Sequence, residues 1–421
     1  MLKTKFMLAG TGLALIAILQ TQLASAQDAV PSAAEMWAVI QQQQKLIDQL
    51  QTELAESKVE QIEVKQSVES VADAIESGAI EGAGGNSALD GLSIGGYGEV
   101  HYEGGAKDEI DFHRFVLFIG HEFTDNIRFF SELEIEHALA GDGKPGEVEL
   151  EQAFVELDLG ENNQVWGGLH LVPVGLLNDI HEPPTFYGVE RPAVEKNIIP
   201  TTWWEAGLGA RGNIGSTGLS WDAMISSGLE LNAANGYNIR SGRQKVAEAP
   251  FNSQAYTGRI QYSGIPGVRV ASSLYYQGDV TQSAGDGLTG KDVSALLWTS
   301  HIDAKFKGFG LRALHANWSL DGAEVDLTGR DKQSGFYIEP SYAFNTPMGM
   351  LPDARLGAFY RYADWDNNAG LNNDTGVKRN VFGINFWPIP DVVLKMDYIN
   401  ERPENSNTDV NSMNLGIGYQ F

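Results

Sequence analysis

The side chains in this sequence with the most chemical potential are charged, and they fall into two groups. Arg114, Arg128, Glu132 and Glu134 lie on segments where apolar and polar residues alternate. Asp179, His181, Glu182, Glu190, Arg191, Glu195 and Lys196 lie together in one long proline-punctuated stretch. A wet passage lined by such a mixture of acids and bases steers ions weakly and carries no strong anion field. Bond-making chemistry would need a nucleophile positioned beside a base. None of the eight histidines forms a His-x-x-x-His pair of the kind that marks zinc. The absence of cysteine removes disulfides and thiolate metal sites. The expectation is a lumen and constriction built from these residues, with no catalytic residue, no metal and no cofactor.

The first group must be held by strands. In "RFFSELEIEHA", Ile127, Phe129, Leu133 and Ile135 fall on one face, and Arg128, Phe130, Glu132, Glu134 and Glu136 fall on the other. From Leu92 to Phe421 the chain reads as sixteen such segments, beginning at 92–104 and ending at 410–421. Segments 163–174, 203–213, 218–229 and 251–263 flank the longest connections. Links after even-numbered segments are mostly short, such as Asp125 or Lys307-Gly308. Those after odd-numbered segments are longer and polar, such as "AGDGKPG" and "ADWDNNAGLNND". Short turns on one rim, long loops on the other and an even count predict an all-β transmembrane barrel of 16 antiparallel strands over 92–421. Closure gives every backbone amide a partner where lipid offers none. The final "MNLGIGYQF" then turns Met413, Leu415, Ile417, Tyr419 and Phe421 to the lipid. The tryptophans at 203, 204, 221, 298, 318, 365 and 387 suit aromatic girdles at the two interfaces, or a lumen that stacks on sugars.

The second group sits in the fifth connection, 175–202, "GLLNDIHEPPTFYGVERPAVEKNIIPTT". Prolines stiffen it, and its apolar residues need a surface to pack on. Folding into the lumen provides one and narrows the hole; a cap over the barrel or a loop at a trimer interface are the alternatives.

The N-terminal part is of another kind. Lys3 and Lys5 precede an apolar run from Phe6 to Leu19, and Ala24-Ser25-Ala26 follows, so 1–26 reads as a secretory signal peptide. After a short segment, 27–33, residues 34–77 carry heptad positions a (Ile40, Ile47, Leu54, Gln61, Val68, Ile75) and d (Met36, Gln43, Leu50, Ser57, Val64, Val71). This predicts a periplasmic coiled coil whose branched residues favour three strands, against a single amphipathic helix packed on a domain. Residues 78–91 form a glycine-rich linker. The formal charge of -26 argues against nucleic acid as a partner.

The stretches "DFHRFVLFIGHEF", "FFSELEIEHA", "LEQAFVELDLG", "VWGGLHLVPVGLLND", "VERPAVEKNIIP" and "GLGARG" resemble the phosphate-selective porin O and P superfamily. The resemblance implies a homotrimer of sixteen-stranded barrels in the bacterial outer membrane, each with its third outer loop folded into the pore. It does not carry over the family's phosphate preference. Arg114, Arg128, Arg259, Arg312, Arg355, Arg361, Arg379 and Lys395 are offset here by Glu132, Glu134, Glu136, Glu149, Glu151, Asp222 and Asp397. The expected activity is passive diffusion of small hydrophilic solutes and ions, general or weakly cation-preferring. The partners are outer-membrane lipid and lipopolysaccharide. The alternatives are a phosphate-, anion- or sugar-selective pore, or a structural tether that reaches peptidoglycan through the coiled coil.

Overall fold

The computed structural model describes residues 90–105, 108–141, 143–371, 375–406 and 408–421. The expected signal peptide, the coiled coil and all but the end of the linker lie outside the described residues.

Sixteen strands follow one another in the described chain: β1 (Leu92–Gly104), β2 (Glu109–Thr124), β3 (Ile127–Glu136), β4 (Val148–Asp158), β5 (Asn163–Leu171), β6 (Trp204–Asn213), β7 (Leu219–Ser226), β8 (Ala255–Ile265), β9 (Val268–Gln277), β10 (Ser294–Phe306), β11 (Phe309–Asp321), β12 (Lys332–Asn345), β13 (Arg355–Asp366), β14 (Val377–Ile389), β15 (Val392–Pro403) and β16 (Val410–Gln420). Each pairs antiparallel with its neighbour in sequence, and β16 returns to β1, so the sheet closes on itself. The seam runs from Tyr97 opposite Gln420 to Gly104 opposite Met413. Gly96 and Phe421 extend it by exchanging two backbone hydrogen bonds of 2.9 Å. Closure leaves no strand edge unpaired.

Alternation sorts the two faces. On β16, Met413, Leu415 and Ile417 point outward and are about half exposed, while Asn414 between them is buried inside. Leu208, Ile225, Ile260, Leu274, Ile338, Phe382, Ile384 and Leu394 continue the apolar outer surface around the cylinder. The inner wall is polar and charged.

Among the described residues, five strand pairs shift register, and two of these bulges re-aim charged residues. β1 and β2 shift register so that His113 is an extra residue, and β3 and β4 shift so that Glu151 is one. A bulge re-aims the side chains beyond it. Past Glu151, the acids of β4 face inward while Leu150 and Val148 are exposed outside. An unbroken ladder running back from outward-facing Val155 would instead send Glu149 and Glu151 outward.

Several strands stop short of the expected boundaries. β5 ends at Leu171, β7 ends at Ser226 and β8 begins at Ala255. Apolar residues that prolong the alternation in sequence, Val172, Val174, Leu229 and Leu231, leave the sheet and enter a core inside the cylinder. That core joins connections 172–203, 227–254 and 278–293. Trp203, Tyr275 and Trp318 pack together in it with their rings tilted or edge-on, centroids 4.8 to 6.0 Å apart. Backbone bonds tie the connections together, as from Leu231 N–H to Val280 O (2.6 Å). Full burial of a side chain of this size contributes about 1.5–3 kcal/mol. One short α-helix, α1 (Ala193–Asn197), lies in connection 172–203, and another, α2 (Ala323–Thr328), lies between β11 and β12. The tryptophans divide unevenly. Trp298 is exposed outside, while Trp203, Trp204, Trp318, Trp365 and Trp387 are buried.

Candidate functional site

Connection 172–203 meets the inner wall through its carbonyls. Prolines at 173, 183, 184, 192 and 200 bring no N–H, so the segment carries an excess of acceptors. Donors on the wall match them. Arg114 on β2 donates to His181 O (2.9 Å), Arg312 on β11 to Thr185 O (2.9 Å), and Arg361 on β13 to Tyr187 O (2.6 Å). The indoles of Trp387 and Trp318 donate to Pro184 O (3.1 Å) and Ile198 O (2.9 Å). Asn385 donates to Phe186 O, and Asp397 accepts from Val189 N–H (2.6 Å). These partners stand on strands around much of the circumference. The loop also rests on β16, where a Cβ at Gly418 would lie 2.3 Å from Pro183 and one at Gly416 3.3 Å from Val189.

The three arginines use their remaining N–H groups on carboxylates of the wall. Arg114 Nε donates to Glu99 (2.6 Å), Arg361 Nε to Glu339 (2.6 Å), and Arg312 lies 3.5 Å from Asp303. Each is thus a bridge from acid to loop backbone. A charged group buried this deeply is stable only when paired.

The residues expected at a constriction take different places. His181 lies in the loop with its Nε2 3.3 Å from Glu132 and 3.6 Å from Glu151, both buried. Glu134 stands 4.0 Å from Arg114. Glu190 faces His101 at 3.2 Å and Lys196 at 3.8 Å. Arg191 donates to Thr202 Oγ1 (2.8 Å). Asp179 is exposed and pairs with Arg259, which also holds Asp222 at 2.8 Å. The Glu195 carboxylate accepts from Leu176 and Leu177 N–H and from Tyr337 OH (2.6 Å), and so lies within the loop's own core. Glu182 Oε2 is buried without a hydrogen-bond partner among the described residues. Arg128 is apart from the loop and binds Glu156 and Asp158 (2.7 and 2.6 Å). On the side of the long connections, Asp286 accepts from Glu324, Leu288 and Thr289 N–H, joining 278–293 to α2. These donors, led by Glu324, hold its carboxyl below the ordinary range.

Glu99, His101, Glu339 and Asp303 also belong to this wall, although the sequence reading passed over them. The signal was present in "YGEVHY", where Tyr97, Glu99 and His101 share one parity. Ser93 stands in a Gly-x-Ser-x-Gly stretch, but it is exposed at the start of β1, paired opposite Gly120 on β2. A nucleophile of that motif needs a sharp strand-to-helix turn.

Two cavities reach the rim of short turns. One, about 710 Å³, is lined by Asp158, Arg211, Asp222 and Arg259. The other, about 740 Å³, lies under the loop and is lined by Arg269, Lys305, Lys307, Arg312 and Arg355, with Asp303 and Glu339 as its acids.

A closed sixteen-stranded antiparallel cylinder is the fold of outer-membrane porins, and solved structures of such porins share it. A Salmonella typhi OmpF complex with daunomycin matches with TM-score 0.55 at 15% identity, covering 78% of this chain and 97% of that one. The anion-selective porin from Comamonas acidovorans matches at 0.52 and 13%, covering 78% and 99%. The outer-membrane channel DcaP of Acinetobacter baumannii gives 0.52 and 13%, covering 78% and 97%. No protein-family model matches the chain. The chain belongs to the same family as an uncharacterized protein of Aquifex aeolicus (strain VF5), which is 33% identical over 340 residues, 74% of this chain and 76% of that relative.

Proposed function

We propose that this protein is an outer-membrane porin that passes small hydrophilic solutes and ions by diffusion, with connection 172–203 as its constriction and a general or weakly cation-preferring lumen. The observation that carries the reading is the sorting of faces on a closed sheet: apolar residues cover the outside, and charges line the inside. Only a closed barrel can place strands in hydrocarbon with every amide paired. The weak preference rests on pairing. Arg114, Arg128, Arg211, Arg259, Arg312 and Arg361 each lie against a carboxylate, which quenches an anion field. The molecule works as a homotrimer among outer-membrane lipid and lipopolysaccharide, as the resemblance implies.

An anion-preferring pore is the second reading, the phosphate-selective form among them. The cavity under the loop favours it, because Arg269, Lys305, Lys307, Arg312 and Arg355 outnumber Asp303 and Glu339 there. Planar-bilayer recording decides. Stepwise conductance supports the pore, and its absence from folded protein rejects it. The reversal potential in a KCl gradient then assigns the preference by its sign.

A further inference from the structure

The sector β1–β4 holds more buried acid than its arginine can balance. Glu99, Glu132, Glu134 and Glu151 are each 1% to 3% exposed, and Arg114 is the buried arginine among them. Glu99 and Glu134 face that guanidinium. Glu132 and Glu151 face the loop histidine instead, at 3.3 and 3.6 Å from His181 Nε2. Glu132 is steadied by Tyr97 OH (3.3 Å) and by Gln152 Nε2 (2.7 Å). Glu151 Oε2 is buried, points into this group and has no hydrogen-bond partner among the described residues.

The histidine is oriented from behind. His181 Nδ1 lies 3.3 Å from Asn178 O. An N–H donated there leaves a lone pair on Nε2, aimed at two carboxylates. In the neutral ring that lone pair faces carboxylate oxygens, and either a proton or a metal ion between them turns the contact into an attraction. The two nitrogen–oxygen separations lie near what a metal requires, since with bonds of about 2.0–2.1 Å a tetrahedral ion sets its donors about 3.3–3.4 Å apart, and all three donors lie within 4.8 Å of one another.

We propose that Glu132, Glu151 and His181 bind one divalent transition-metal ion of the zinc type, which pins the loop to β3 and β4. One imidazole and two carboxylates are a donor set for such ions, with water completing the shell. The bulge builds the site. Glu151 is the inserted residue, and both it and Gln152 are buried on the inner side, so ligand and supporting donor face the same way. Consecutive residues of a regular strand face opposite ways. Two further groups of donors nearby differ. Among Glu134, Glu136 and Glu149, the Lys245 ammonium contacts Glu149 and lies 2.7 Å from adjoining Glu147, so a cation is already provided. At His101, His113 and Glu190, the His101 nitrogens face Glu99 and Glu190 at 3.1 and 3.2 Å, and this group serves as the control.

The test is calorimetric titration of the chelator-stripped full chain in detergent with zinc chloride, which reads binding and not conductance. The wild-type protein is expected to take up one ion per chain. His181→Ala and Glu151→Gln should each weaken binding by about tenfold to a hundredfold, and His113→Ala should leave it unchanged. Glu151→Gln is nearly isosteric, so it carries the test if the histidine variant fails to form a barrel by circular dichroism. The proposal is overturned if wild-type protein shows no saturable binding, if binding survives both ligand substitutions, or if only His113→Ala removes it. A conducting barrel that binds no zinc would reject the metal and leave the pore standing, whereas a silent barrel that binds zinc would do the reverse.

Discussion

Arg114, Arg312, Arg361 and Asp397 on this wall hold the loop in place. Arg361 shows the cost of removing one. Its guanidinium binds Glu339, which is 1% exposed, and the carbonyl of Tyr187. Arg361→Ala takes from that buried acid its hydrogen-bonded partner and leaves it only the cross-strand Arg312, so stability should fall by up to about 3–5 kcal/mol, read as a lower guanidinium midpoint for refolded protein in lipid vesicles. Lys305 is different, because it lines the cavity under the loop and is exposed to it. Lys305→Glu changes the local charge by two units. At about 10 Å through water each unit is worth about 0.4 kcal/mol. The reversal potential should therefore move toward potassium by about two- to fourfold in permeability ratio at low salt, and the shift should fade as salt screens it. A ratio that does not move would take this cavity off the conduction path.

Strands were legible in the sequence because two simple signals agree. Period-two alternation marks each element, and loop length marks each rim. All sixteen expected segments correspond to strands, ending with β16 at Val410–Gln420. Boundaries were lost where apolar residues continue the pattern beyond the sheet, as at Val172, Val174 and Leu229, which are fully buried among the connections. Alternation also cannot reveal an inserted residue. The inward aim of Glu151 depends on the bulge opposite Glu132 and Leu133. Nor does it separate a tryptophan at a lipid interface from one that clasps a loop carbonyl, as Trp318 and Trp387 do. The outer face gives a sharper test. Ile384 lies in the middle of β14 and is 39% exposed on the outside. Ile384→Arg should cost about 2–4 kcal/mol for a site near the bilayer midplane, measured by refolding into vesicles. A neutral result would mean that this face does not meet lipid.

At the scale of the whole molecule, the barrel's bonds and the loop's bonds are separate sets. Replacing 183–190 by a short Gly-Ser link removes the contacts to Arg312, Arg361, Asn385, Trp387 and Asp397 but no pairing between strands. The cylinder should survive by circular dichroism, and single-channel conductance should rise by roughly twofold as the passage widens. Unchanged conductance would place the narrowest point elsewhere. Mass in detergent should correspond to three chains, and conductance should appear in groups of three steps. One more consequence comes from Gly416 and Gly418, whose missing side chains make room for Val189 and Pro183. The seat on which the middle of the polypeptide comes to rest is supplied by the strand made last. The interior is therefore fully furnished only once the cylinder is sealed, and a barrel halted before Val410 lacks one stave and, with it, part of the cradle for its own inner fitting.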